Sequence, residues 1–217
     1  RLLRWDADTT RRKGEHELIL SHFSAHRADI LIGTQMLAKG LDLPLVTLVG
    51  IVLAEVGLNL PDYRAAERSF QVLTQVAGRA GRSPLGGQVV LQTYEPDNYV
   101  IQAASRHDFE GFYKQELALR KELNYPPYTR LIRLEYRHTI EAKAQSQAQA
   151  MADLLRAEIA ARRMSQTSFI GPVPAYYHKV GRHFRWQIIL RGPEPQTILD
   201  SLPLHDWQVQ IDPSDLL

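Results

Sequence analysis

The run Asp29-Ile30-Leu31-Ile32 is apolar at every position after its first. A strand with one wet face alternates apolar and polar side chains, so a run like this one calls for cover on both faces. Parallel sheets flanked by helices supply that cover, and their strands must be joined by long crossovers. The neighbouring sequence has this form. Leu2 to Asp6 reads as a strand. Glu15 to Phe23 reads as an amphipathic helix with Leu18, Ile19 and Phe23 on one side. Val46 to Leu53 is a second apolar strand, Arg64 to Gln75 a helix, and Gln88 to Thr93 a further strand. The alternation predicts a parallel α/β layer over residues 1–96.

The pattern changes near residue 125. Asp97 to Leu123 is helical in character, with Asp97 or Asn98 available as a cap. Tyr125-Pro126-Pro127-Tyr128 ends it, because the first proline disfavours α geometry at Tyr125 and neither proline donates. Residues 97–125 are therefore expected to link two domains. Beyond them, Leu131 to Tyr136 partly alternates, as a strand with one solvated face does. Thr139 to Arg163 predicts a long helix with a stripe of Ile140, Ala144, Ala148, Met151 and Leu155. Phe169 to Ala175 is extended, Phe184 to Leu190 a strand, Gln196 to Leu202 a short helix and Trp207 to Ile211 a strand. Residues 126–217 are thus expected to form a small βαββαβ, or α+β, domain.

Two glycine-containing stretches invite a chemical reading. Gly33-Thr34-Gln35-Met36-Leu37-Ala38-Lys39-Gly40-Leu41-Asp42 leaves the carboxyl end of a strand, where open α/β sheets bind ligands. It lacks the closing Gly-Lys-Ser/Thr of a nucleotide-gripping loop, since Lys39 precedes Gly40. Gln75-Val76-Ala77-Gly78-Arg79-Ala80-Gly81-Arg82 follows a helix. Its glycines are expected to break that helix, and its arginines offer planar forks suited to phosphate oxygens. Taken alone, each stretch also fits an ordinary turn or helix end with solvated side chains.

The second half carries another signal. Between Glu158 and Glu194 no acidic residue occurs, whereas Arg162, Arg163, Lys179, Arg182, Arg185 and Arg191 do. Phe169, Tyr176, Tyr177, Phe184 and Trp186 are interleaved with them. Charge to track phosphates and rings to stack on bases are what a single-stranded nucleic-acid surface needs. The same spacing fits a half-buried strand, with Phe184 and Trp186 in a core and Arg185 and Gln187 in water. Both hold if Tyr176, Tyr177, Lys179 and Arg182 lie on an exposed hairpin. The eight histidines have no cysteine partners, so solvated histidine is the expectation and no metal site is predicted. Glu55, Asp62 and Glu67 lack partners at a spacing that acid–base chemistry would require. Net charge is only +2 and carries no information about partners. Neither an apolar run of membrane-spanning length nor a signal peptide is present, and cytoplasmic residence is expected. The chain opens Arg1-Leu2-Leu3-Arg4-Trp5, strand-like from the start, and is read as part of a longer protein.

Together, the GTQMLAKG loop with Asp42 and the QVAGRAGR segment resemble motifs V and VI of superfamily 2 helicases. VTLVG, DYRAAERSFQVLTQ, GQVVLQTYEP, YPPY, GPVPA, FRWQIIL and IDP are similar in detail to the primosomal protein N′ (PriA) family. The resemblance implies a partial second RecA-like lobe followed by a DNA-binding domain. It implies that Arg82 is an arginine finger toward ATP, Arg79 a second phosphate contact, and Gln75 an orienting residue. Gly40, Asp42, Gly78 and Gly81 would lie near the nucleotide, and Thr34, Gln35 and Lys39 along the DNA backbone. Tyr176, Lys179, Arg182 and Arg185 would meet DNA in the second domain. ATP and Mg²⁺ would be held mainly by a first lobe, and zinc by another part of the parent protein. The implied parent is a 3′–5′ DNA helicase that recognises stalled forks and initiates primosome assembly. Implied partners are forked and single-stranded DNA, the single-stranded-DNA-binding protein and primosome proteins, with no membrane. An ATPase-dead scaffold and another superfamily 2 translocase are the alternatives.

Overall fold

The computed structural model describes residues 1–6, 14–34, 43, 45–80 and 86–217, with the side chains of 79 and 80 excepted. The chain forms two compact units. One comprises Arg1–Asn59 and Ala66–Phe112, the other Leu60–Ala65 and Tyr113–Leu217. The division falls between Phe112 and Tyr113, inside a helix.

In the first unit, β1 (Leu2–Trp5) pairs in parallel with β2 (Ile30–Gly33). Helix α1 (Glu15–Ser24) lies between them in sequence and packs on β1. Strand β3 (Leu48–Ile51) pairs in parallel with β4 (Gln88–Leu91). Helix α2 (Ala65–Ala80) forms their crossover. The parallel pairing is the one that the apolar runs require. The expected burial is not found: Ile30, Ile32, Leu48, Val89 and Val90 are exposed, and α1 has no buried residue. An all-apolar strand records that its faces need cover without recording that this stretch of chain supplies it.

The core of this unit lies beneath α2. Phe70 and Leu73, three apart on one helical face, pack with Val100, Ile101 and Ala104 of α3 (Tyr99–Ser105) and with Phe112 of α4 (Phe109–Glu122). The Phe70 and Phe112 rings stack at 4.2 Å. The stretch read as one linking helix is two helices. Asn98 caps the first, its side chain accepting from Val100 N at 3.0 Å. His107, at φ 53°, turns the chain, and Asp108 Oδ1 accepts from Gly111 N at 2.8 Å to open the second.

Helix α2 also departs from expectation, continuing through Gly78 to Ala80. A glycine costs a helix about 1 kcal/mol against alanine, which the surrounding turns can absorb. A Cβ built on Gly78 meets nothing within 4 Å. Among the described residues no close approach accounts for the glycine.

The second unit is a four-stranded antiparallel sheet of order β6-β7-β5-β8. Its strands are β5 (Arg130–His138), β6 (Ser168–Val180), β7 (His183–Gly192) and β8 (Trp207–Ile211). Helix α5 (Glu141–Ala161) covers one face, burying Ala144, Ala148, Met151, Ala152 and Leu155 against Ile132, Leu134, Ile188, Leu190 and Trp186. Ile140 is not in this stripe; it caps the helix and is half exposed. The expected last helix is a 3₁₀ segment, Pro195–Ser201, so the order is β-α-β-β-3₁₀-β.

The opposite face of the sheet is covered as well. Leu131 and Ile189 pack with Leu216, Tyr63 and Tyr125. Asp62 fixes this cover: its Oδ2 accepts from Leu216 N at 3.2 Å and its Oδ1 from Arg64 N at 2.8 Å. The loop Leu60–Ala65, read as a connection within the first domain, thus belongs to the second unit.

Candidate functional site

Thr34 directly follows Gly33, the last residue of β2, and is exposed. Gln75 and Gly78 are exposed on the last turns of α2. Gln35, Lys39, Gly40, Asp42, Gly81 and Arg82 lie outside the described residues, as does the side chain of Arg79.

Glu55, considered for acid–base work, is instead a structural carboxylate. It sits in a 3₁₀ turn, Ala54–Gly57, after β3 and is buried. Its oxygens accept from Thr93 Oγ1 at 2.8 Å and Tyr94 N at 3.2 Å, beyond the end of β4. Its own backbone amide, Thr93 and Tyr94 hold its pKa below the usual value against the opposing effect of desolvation. A group kept ionised in this way ties two strand ends together and is poorly placed to exchange protons.

In the second unit the geometry is complete. Strands β6 and β7 form a hairpin closed at Gly181-Arg182, with Gly181 at φ 61° where a side chain would be strained. Lys179 and Arg182 are exposed at its tip. The ammonium of Lys179 lies 4.8 Å from the centroid of the Phe184 ring. Tyr176 and Tyr177 are 48% and 58% exposed, their rings edge-on at 5.0 Å. Two large aromatic rings thus stand in water on the same hairpin as two exposed cationic groups.

Apart from Arg163, which is exposed just after α5, the basic residues of the acid-free stretch separate into two sets. Arg162 pairs with Glu158 at 3.0 Å. Arg191 donates to Ser168 Oγ at 3.0 Å and to Leu123 O at 3.0 Å. Arg185 is 8% exposed and grips Glu135, with Nε to Oε1 at 2.9 Å and Nη2 to Oε2 at 2.6 Å. The sequence reading sets Arg185 among the DNA contacts; in the fold its guanidinium is turned to Glu135. Phe184 and Trp186 do face α5, but Arg185 and Gln187 are covered too, because the sheet has no bare face. What remains at the surface of the hairpin is Tyr176, Tyr177, Lys179 and Arg182.

Sequence patterning alone does not mark Glu135. It is 1% exposed and accepts from both Arg185 and Arg137. Burial pushes its pKa up, but those two guanidinium groups more than offset it and the carboxyl is held below its ordinary range. Arg133-Leu134-Glu135-Tyr136-Arg137 reads as a solvated face by alternation alone. The missed signal is a set of charges of both signs on one strand face, opposite the arginine of another strand.

His16 Nδ1 accepts from Trp5 Nε1 at 2.9 Å, and His178 Nε2 lies 3.4 Å from Glu141. Among the described residues no three His, Cys, Asp or Glu side chains are grouped to hold a metal, and no helix is long and apolar enough to cross a membrane.

A parallel α/β unit followed by an antiparallel sheet with a basic, aromatic hairpin fits a helicase motor lobe joined to an accessory domain. Residues 6–84 match the helicase conserved C-terminal domain, which defines the class. Residues 121–214 match the primosomal protein N C-terminal domain. The chain is 46% identical over 216 residues to the replication restart protein PriA of Synechocystis sp., covering all of this chain and 25% of that protein. It is 46% identical over 191 residues to that of Bacillus subtilis, covering 88% of the chain and 23% of the relative. For the Haemophilus influenzae protein the figures are 38% over 201 residues, 92% and 27%. The chain belongs to the PriA family and spans about a quarter of the length of these relatives.

Proposed function

We propose that this chain is part of an ATP-dependent 3′–5′ DNA helicase that recognises stalled replication forks and initiates primosome assembly in the cytoplasm. In this reading residues 1–96 form part of the second motor lobe, residues 97–125 connect, and residues 126–217 bind DNA. Arg82 and Arg79 face ATP and Mg²⁺ held by a first lobe, with Gln75, Gly78 and Gly81 shaping their approach. Thr34, Gln35 and Lys39 follow one DNA strand, and Gly40 and Asp42 link that grip to the nucleotide. The exposed apolar faces of β2, β3 and β4 are then surfaces that the rest of the motor covers. Zinc, the single-stranded-DNA-binding protein and primosome proteins engage the parent protein. The relatives are replication restart proteins by name, which supports this reading.

The observation that carries the DNA-binding part is the exposed Tyr176–Tyr177 pair beside Lys179 and Arg182 on one hairpin. Rings at this position stack on unpaired bases while the two cations track phosphates. Lys179→Ala with Arg182→Ala is expected to weaken binding to fork DNA. Two lost phosphate contacts should flatten the slope of log K against log salt by about 1.4, at about 0.7 per contact on a single strand. Fluorescence anisotropy across a salt series measures both. An unchanged slope removes the hairpin from the interface.

A further inference from the structure

Strand β6 breaks register opposite Arg185. Pro174 pairs with Trp186 and Lys179 with Phe184, so the four residues 175–178 face one residue of β7. Ala175 is buried, whereas Tyr176 and Tyr177 stand out in water. A bulge of this size gives up ladder hydrogen bonds, and its shape must be set by something else.

The buried arginine supplies the link. Arg185 Nη1 donates to Tyr177 O at 3.4 Å, while Nε and Nη2 are both held by the carboxylate of Glu135. Glu135 Oε1 also accepts from Arg137 Nε, and Arg137 Nη2 donates to Gln208 Oε1 at 2.7 Å. A continuous polar brace therefore runs from β8 through β5 and β7 to the bulge in β6. Three of the five N–H donors of this guanidinium are engaged inside the fold and the residue is only 8% exposed, so it offers little surface to a phosphate.

We propose that Arg185 is a positioning residue for base stacking: locked on Glu135, it fixes the Tyr177 carbonyl and so sets the Tyr176 and Tyr177 rings as a platform for consecutive unpaired bases. This rests on the reading of the hairpin as a DNA-binding element. Lysine cannot replace it, because one ammonium does not span two carboxylate oxygens and a carbonyl in a planar fork.

The test uses this chain and fluorescein-labelled oligothymidylate. Arg185→Lys keeps the charge and is expected to weaken binding about 10-fold, within the range of one lost stacking contact, with the salt slope of the parent. In the Tyr176→Ala/Tyr177→Ala background the same substitution is expected to have no further effect. With 3-fluorotyrosine incorporated, the ¹⁹F resonances of Tyr176 and Tyr177 should shift in Arg185→Lys without DNA, while the other tyrosines report an intact fold. If Arg185→Lys fails to fold, Glu135→Gln replaces it, with the same pattern expected. Parental binding by Arg185→Lys, with the tyrosine variant impaired, overturns the positioning role alone. A salt slope flattened by about 0.7 in Arg185→Met overturns it in favour of a direct phosphate contact. Parental binding by Tyr176→Ala/Tyr177→Ala overturns the hairpin reading and the proposal together.

Discussion

Replacing Arg82 with alanine in the full-length protein is expected to lower DNA-stimulated ATP turnover by ~10³-fold or more. Phosphoryl transfer leaves little covalent chemistry to the protein, and most of the acceleration comes from stabilising charge on the transferred group. An arginine brought in from the opposite lobe does this only in the transition state, so its loss falls on kcat. DNA affinity should survive, because the groups assigned to the strand are Thr34, Gln35, Lys39 and the β6–β7 hairpin. A coupled ATPase assay beside anisotropy with fork DNA separates the two quantities. Normal turnover would show that the finger lies elsewhere, and lost DNA binding would show that Arg82 is a strand contact. Helix α2 reaches Ala80, two residues before this arginine. A helix that persists through Gly78 gives the arginine segment a stiffer base than a glycine break would.

Replacing Glu135 with alanine is expected to destabilise the second unit by about 3–5 kcal/mol, the usual range when one partner of a buried ion pair is removed. Two arginines donate to this carboxylate, and Arg185 would be left charged and buried. The pH dependence follows from the depressed pKa of Glu135. A carboxyl held below its unfolded value stabilises the fold fully above that value, about 4.3, and loses the contribution as pH falls through the folded value. Urea unfolding at pH 7 should therefore show the full difference between parent and variant. Below pH 4 the parent should approach the variant. A difference at neutral pH of less than about 1 kcal/mol would place this pair with ordinary surface bridges.

The sequence was most informative where one physical rule acted alone. Apolar runs at Ile30–Ile32 and Leu48–Ile51 required parallel pairing, and both strands pair in parallel. Helical spacing located most of the stripe of α5, and the hairpin of Tyr176, Lys179 and Arg182 could be read from its tyrosines and basic residues. It was least informative where rules competed. Gly78 was expected to end α2, but the helix continues past it. Ile140 has an apolar side chain but caps the helix, its N donating to His138 Nδ1 at 2.8 Å.

Arg185 shows the deeper difficulty. Alternation places it opposite Trp186 correctly, yet its burial comes with Glu135 and the Tyr177 carbonyl, and the cover of the same face at Leu131 and Ile189 comes from Tyr63 and Leu216, far away in the chain. Such long-range cover leaves no periodic trace. The bulge at 175–178 is equally hidden, because it is defined by the register of β7 and not by any residue of β6.

Photocrosslinking of 5-iodouracil-substituted single-stranded DNA to this chain, followed by mass spectrometry of the adducts, tests the account most directly. The central claim places stacked bases on the hairpin, so adducts should concentrate on Tyr176 and Tyr177 and disappear in Tyr176→Ala/Tyr177→Ala. Adducts confined to other aromatic residues, with the 168–185 peptide unmodified, would contradict it.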